Sequence, residues 1–193
     1  MLYLASQSPR RRQLLDQLGL EFRLLDIDVD EVRGPSEAAA DYVRRVAREK
    51  AGAGLLEVVA IPNAVVLGAD TEVVLDGEVF GKPRDQAHAA GMLRRLSGRG
   101  HEVITAVSLV SAGREAQVVS NSQVRVAAMS DADIATYLAS AEWQGKAGAY
   151  AIQGRFEAHI EHLSGSFSGV MGLPLHHTAK LLKEFGIAAG VSA

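Results

Sequence analysis

The stretch Ala64-Val65-Val66-Leu67-Gly68-Ala69-Asp70-Thr71-Glu72-Val73-Val74-Leu75 decides how this chain is read. Its richness in Val and Leu suits a central β-strand. Asp76-Gly77 then supplies a two-residue hairpin turn that returns through Val79-Phe80. Inside the apolar run stands Asp70. A carboxylate in a buried strand is costly unless it is paired, protonated or bound to a metal. Gly68 leaves room for backbone or ligand to come close. Glu72 alternates onto the same face as Asp70, so the two could share one site, with Asp70 carrying the greater weight. The plainer alternative is a strand-end Asp bonded to neighbouring amides.

Working outward toward the N-terminus, Leu2–Ala5 reads as a short buried strand. Ser8 is expected to cap a helix with Pro9 at its first position, running from Arg10 to Leu18 and closed by Gly19. The helix start carries Arg10, Arg11 and Arg12 in succession. Basic residues at the positive pole of a helix cost up to ~1 kcal/mol unless an anion offsets them. With Ser6, Ser8 and unpaired backbone N–H groups beside them, Arg10 and Arg11 have the makings of a phosphate cradle. Glu21–Val29 reads as a second strand, leading into the acidic run Asp26-Ile27-Asp28-Val29-Asp30-Glu31. In ligand type this run resembles a Mg²⁺ or Mn²⁺ site, and otherwise it is a solvated loop. Ser36 is expected to cap a helix through Lys50.

Downstream, Gly81-Lys82-Pro83 pins a lysine in an extended turn, where its ammonium can meet a phosphate. Asp85 caps a helix with the stripe Ala89, Met92, Leu93 and Leu96, ending at Gly98. His101–Val110 and Gln117–Ala127 form an antiparallel pair, and Ser130 with Asp133 opens a short helix as a capping box. Gly145 to Gly154 precedes a further strand pair, and Pro174 begins a helix to Phe185. The sum is a mixed α/β domain with several antiparallel hairpins, without the regular alternation of a doubly wound sheet.

Composition sets the outer bounds. At 193 residues and 48% hydrophobic, the chain has material for one domain spanning 1–193. It has no cysteine, which excludes disulfides, thiolate metal sites and cysteine nucleophiles. The balance of 20 basic and 23 acidic residues, net −3, argues against a nucleic-acid partner. No apolar run reaches the roughly 18 residues of a membrane span, and no leader is evident, so a cytoplasmic protein is expected. The histidines lack zincin spacing: His159 and His162 face opposite sides of an expected strand, and His101 reads as a structural hydrogen-bonder. No Walker-type or dinucleotide glycine loop is present.

Taken together, several segments resemble the Maf family of nucleotide pyrophosphatases. They are Leu-Ala-Ser-Gln-Ser-Pro-Arg-Arg (4–11), Arg48-Glu49-Lys50-Ala51, Gly-Ala-Asp-Thr (68–71), Gly81-Lys82-Pro83, Leu96-Ser97-Gly98 with His101, Ile152-Gln153-Gly154 and Met171-Gly172-Leu173-Pro174. The resemblance runs nearly end to end. It implies an elongated, curved mixed sheet flanked by helices, two lobes around a cleft, akin to the inosine triphosphatase fold. It also implies hydrolysis of a nucleoside triphosphate to monophosphate and pyrophosphate with Mg²⁺ or Mn²⁺. By motif, Ser8, Arg10, Arg11, Lys50, Thr71 and Gln153 would bind substrate. Asp70, Lys82 and Glu31 would be catalytic, and Glu31 and Asp70 would hold the metal. Gly-Ala-Asp-Thr together with Gln153 is similar to the branch acting on dTTP and UTP. The branch acting on 7-methylguanosine triphosphate carries Gly-Ser-Asp-Gln. Ala151 and Arg155-Phe156-Glu157 depart from the small residues usual there. A homodimer is expected from the resemblance alone, and the rival readings are a low-turnover, nucleotide-binding regulator of cell division and the same chemistry on another nucleotide such as 7-methylguanosine triphosphate.

Overall fold

The computed structural model describes residues 1–188. Its frame is a seven-stranded mixed sheet. The first strand, β1 (Leu2–Ala5), lies parallel to both β2 (Phe22–Leu25) and β3 (Val65–Leu75). Beyond them, β5 (Gly100–Ser111), β6 (Arg114–Val126) and β7 (Ile160–Ser164) continue the sheet antiparallel, while β4 (Glu78–Phe80) folds back on the end of β3. The hairpin turn is where the sequence places it, with Asp76 and Gly77 both at positive φ.

Alternation along β3 divides the core. Val65, Leu67, Ala69, Val73 and Leu75 point into the larger cluster. That cluster is closed by α1 (Pro9–Gln17), α3 (Gln86–Leu96), α4 (Asp131–Ala139) and α6 (Leu175–Glu184), with α5 (Phe167–Met171) packed at β5 and β6. Val66 and Val74 face the other way, against α2 (Ala39–Glu57). Helix α2 sits very close to the sheet. A Cβ on Gly68 would come within 2.3 Å of the Ala47 carbonyl, and one on Gly54 within 2.8 Å of Val66. The room expected at Gly68 is therefore used by the helix backbone.

Several expectations are met. Asp85 caps α3 by accepting from His88 N at 2.7 Å, and the stripe Ala89, Met92, Leu93 and Leu96 is buried. Ser130 and Asp133 complete the capping box of α4. Others are corrected. Helix α2 begins at Ala39, not after Ser36, because Glu37 closes a turn back onto Gly34, with N–H···O at 3.1 Å, and its carboxylate is taken by Arg45. The helix runs on past Lys50 through Gly52 and Gly54, since packing against β3 outweighs their propensity cost of about 1 kcal/mol each. Strand β2 is only four residues long, so the acidic run lies beyond it. After Gly154 there is one strand, not two: His159 ends a 3-10 turn and only His162 lies in β7. No helix among the described residues is long and apolar enough to cross a membrane.

Candidate active site

The site begins with a gap in the sheet. Strand β1 stops at Ala5, opposite Gly68, while β4 starts pairing with β3 only at Val73. Residues 69–72 of β3 thus have a strand neighbour on the β5 side alone. The Ser6–Ser8 loop, leaving β1, forms one rim of the gap; Gly81-Lys82, leaving β4, forms the other. Through this opening Asp70 and Glu72 face the α2 side, and Thr71 faces the opposite side.

On the α2 side the expected residues come together. Asp70 is only 5% exposed. Its Oδ1 accepts from Lys50 Nζ at 2.9 Å, and the same ammonium lies 2.6 Å from Glu31 Oε1. Lys82 Nζ approaches Glu31 Oε2 at 3.2 Å, closing the chain Asp70–Lys50–Glu31–Lys82. Burial alone would raise the Glu31 carboxyl, but the Lys50 and Lys82 ammoniums outweigh it and hold it below the usual range. The Tyr42 hydroxyl donates to the Glu31 carbonyl at 3.0 Å, tying this end of the acidic run to α2. Two buried oxygens are left without a partner, Asp70 Oδ2 and Glu72 Oε2. Burial, then the charges of Asp70 and Glu31, push the Glu72 carboxyl up to about 8.

The opposite side is organised by Arg11, which is buried at 9% exposure. Its Nε donates to the Gly172 carbonyl at 2.9 Å, Nη1 to Ser6 Oγ at 3.2 Å and Nη2 to Thr71 Oγ1 at 3.2 Å. Three of its five N–H donors are thereby committed inside the protein. Thr105, opposite Thr71 in the register, donates at 2.8 Å to the Gly169 carbonyl and lies 3.0 Å from Thr71 Oγ1. Burial lowers the Arg11 guanidinium, offset by the charges of Asp70 and Glu31.

The remaining candidates lie around these two clusters. Ser8 is half-buried and, contrary to expectation, its hydroxyl caps nothing; its N–H donates to Ser6 Oγ at 3.3 Å. Burial, then the adjacent Arg11 charge, push the Arg10 guanidinium down to about 10, still cationic at neutral pH. Such a cation gains from an anion brought beside it. Gln153 is exposed and lines a cavity of about 550 Å³ beside α1 and α5. His101 is the structural hydrogen-bonder expected: its Nε2 lies 2.7 Å from the Tyr150 hydroxyl, at the base of the segment carrying Gln153. Phe156 is fully buried and packs on Tyr137 and Tyr150.

Of the acidic run only Glu31 reaches the site; Asp26 instead accepts from Gln7. Among the described residues no group of three or more His, Asp or Glu is placed to hold a metal ion. The hard oxygen donors of Glu31 and Asp70, with Asp70 Oδ2 buried and unpartnered, nevertheless suit Mg²⁺ or Mn²⁺. Mg²⁺ commonly takes one or two carboxylates and completes its shell from substrate phosphates and water. Tyr42 and Thr105 are contributors that sequence reasoning missed. No local signal marks them, since each acts through a partner on another element.

A dTTP/UTP pyrophosphatase of Xanthomonas euvesicatoria pv. vesicatoria (strain 85-10) is 58% identical over 188 residues, covering 96% of this chain and 99% of that one. A nucleoside triphosphate pyrophosphatase of Xylella fastidiosa (strain M23) is 59% identical over 186 residues, covering 96% and 98%. Among solved structures, the Staphylococcus aureus Ham1 protein superposes with a TM-score of 0.43 at 13% identity, over 65% of this chain and 71% of that one, too loosely to bear on function. The family model described as Maf-like protein matches residues 1–185, and the chain belongs to that family.

Proposed function

We propose that this chain is a nucleoside triphosphate pyrophosphatase that cleaves dTTP and UTP between the α- and β-phosphates, releasing monophosphate and pyrophosphate. Modified pyrimidine analogues fall within the same house-cleaning reaction. The observation that carries the reading is Asp70, a buried carboxylate with one oxygen on Lys50 and the other unpartnered, set in a gap rimmed by cations. The relatives named dTTP/UTP pyrophosphatase support it over nearly the whole chain. On this reading the enzyme works in the cytoplasm, with neither a membrane nor nucleic acid as partner, and a homodimer is part of the same proposal.

In the proposed mechanism Arg10, Lys50 and Lys82 bind the triphosphate oxygens, and the Ser8 hydroxyl donates to them. Arg11 holds the Ser6 loop and Thr71 in place beside them. Asp70 Oδ2 orients a water and takes its proton as the water oxygen bonds to the α-phosphorus. The bond to the bridging oxygen breaks in line, and pyrophosphate leaves. Glu31 and Asp70 would hold Mg²⁺ or Mn²⁺, which when bound supplies neutralising charge to the phosphate oxygens.

The test is product analysis. Incubation with dTTP or UTP and Mg²⁺ or Mn²⁺ should give monophosphate and pyrophosphate by phosphorus NMR, and EDTA should abolish turnover. Stepwise release of orthophosphate through the diphosphate would overturn the α-phosphorus assignment.

A further inference from the structure

The cavity of about 550 Å³ is lined by Gln13, Leu14, Gln17, Gln153, Phe167 and Met171, among others. Its size falls within the roughly 300–1,000 Å³ of small-molecule sites. Position along α1 links it to the phosphate-binding end. Arg10, Gln13 and Gln17 stand at i, i+3 and i+7, so the helix face that starts at the unpaired guanidinium continues as two amides. A second link runs through α5: Met171 lines the cavity, and the next residue, Gly172, accepts the Arg11 hydrogen bond at 2.9 Å.

The lining chemistry is specific. Phe167 is 44% exposed, a large ring left partly in water. Its backbone is fixed, because it opens α5. Ser166 Oγ caps that helix by accepting from Gly169 N at 3.0 Å, and Ser168 Oγ ties it to α6 by accepting from Leu175 N at 2.9 Å. The glutamine side-chain hydrogen bonds among the described residues belong to Gln7 and Gln117, which leaves the amides of Gln13, Gln17 and Gln153 free for a ligand. A smaller cavity of about 270 Å³ lies against a neighbouring face of α1, lined by Arg12, Asp16 and Glu21 among others. It offers no such amides.

We propose that this cavity receives the pyrimidine ring of the substrate, with Phe167 stacking on the base and Gln13 joining Gln153 in reading its edge. The proposal rests on the nucleotide reading above and assigns its base subsite. A half-exposed aromatic ring on a capped helix offers a flat π-face, which is how proteins hold bases irrespective of their edges. Carboxamides supply both a donor and an acceptor, which the N3–H and carbonyls of uracil and thymine can satisfy together. Ring and amides thus divide the work between affinity and selectivity.

Calorimetric binding of UMP, the product that carries the base, tests the subsite without turnover. Phe167→Ala should weaken UMP binding roughly 5- to 150-fold, the range for loss of one base–aromatic stack. KM for UTP should rise with it, while inhibition by pyrophosphate stays at the wild-type constant. Phe167→Leu keeps apolar bulk without the flat face and should lose most of the same affinity; Phe167→Tyr should retain it. These two remain informative if the Ala variant loses its thermal unfolding transition. Gln13→Leu should narrow the preference for UMP over CMP. Unchanged UMP affinity in Phe167→Leu, or a matching loss of pyrophosphate inhibition, would overturn the stacking role. An unchanged UMP-over-CMP preference would remove Gln13. If the wild type binds UMP through Phe167 yet hydrolyses no triphosphate, the subsite stands and the pyrophosphatase reading falls.

Discussion

The two faces of β3 at the gap solve opposite problems with neighbouring residues. Asp70 looks toward α2 into a cluster of three carboxylates and two ammoniums that leaves two buried oxygens unpartnered. Thr71 looks the other way into a network in which Arg11, Ser6, Thr105 and the carbonyls of Gly169 and Gly172 satisfy one another. A buried polar group without a partner costs about 1–3 kcal/mol, so the first arrangement is tolerated at a price in stability and the second contributes to it. On the proposed mechanism, the contrast separates a face built for reaction from a face built for position.

The largest expected effect comes from striking the first face. Asp70→Asn should lower kcat by ~10²–10⁴ while nucleotide binding stays measurable. It should move the melting temperature little, because the residue replaced was already under-partnered. Retention of more than about a tenth of wild-type kcat, far above what loss of a base leaves, would remove Asp70 from the chemistry.

Striking the second face should invert that pattern. Arg11→Met strips partners from Ser6, Thr71 and Gly172 and should cost about 3 kcal/mol, or roughly 6–12 °C in Tm for a chain of this size. Arg11→Lys keeps the charge but not the fork, and should fall between. Scanning calorimetry of the two variants beside Asp70→Asn reads the comparison directly. Equal destabilisation by Asp70→Asn and Arg11→Met would erase the distinction between the faces.

A smaller effect is expected at the base end. Gln153→Ala should narrow the preference for UTP over CTP, mostly by lowering UTP turnover. One mismatched hydrogen bond at ~1–3 kcal/mol corresponds to roughly 5- to 150-fold in kcat/KM. Unchanged selectivity would shift base reading to other groups in the cavity.

The smallest effect concerns His101, which anchors Tyr150 on the Arg11 side of the sheet. Burial pushes its imidazole down to about 4, below the usual 6.5. Above pH 6.5 it is neutral folded or unfolded, and its full contribution is present. As pH falls from about 6.5 toward 4, the unfolded chain takes up the proton first and stability is lost. His101→Gln should flatten the fall of Tm over that window; a variant with the wild-type slope would assign the fall to other groups.

Much of the local architecture was legible beforehand. The Asp76-Gly77 hairpin, the Asp85 cap with its apolar stripe and the Ser130–Asp133 box all rest on contacts within about four residues, which a sequence displays openly. The candidate site was legible as a set of residue types, because an acid in an apolar strand and arginines at a helix start both violate local rules. Two expectations failed where long-range packing overrode local signals. The helix expected from Ser36 through Lys50 starts at Ala39 and runs on to Glu57, and the missing side chains of Gly54 and Gly68 let α2 lie on β3 and bring Lys50 to Asp70. Ser8 reads as a cap, yet Ser6 and Arg11 set the geometry of that loop.

What the amino-acid order determined alone is therefore the inventory: a mixed α/β chain, cysteine-free, with carboxylates and cations that have no business in their local settings unless a charged ligand meets them. Tertiary structure decided how that inventory is divided. It chose Glu31 from the acidic run, 19 positions from Lys50 and 51 from Lys82. It committed Arg11 to a carbonyl 161 residues away while leaving the neighbouring Arg10 without a side-chain partner among the described residues. It also placed Phe167 and three glutamines around one cavity. No periodicity or cap encodes such pairings, because loop closure over tens of residues is set by the fit of whole elements rather than by any residue's own preference.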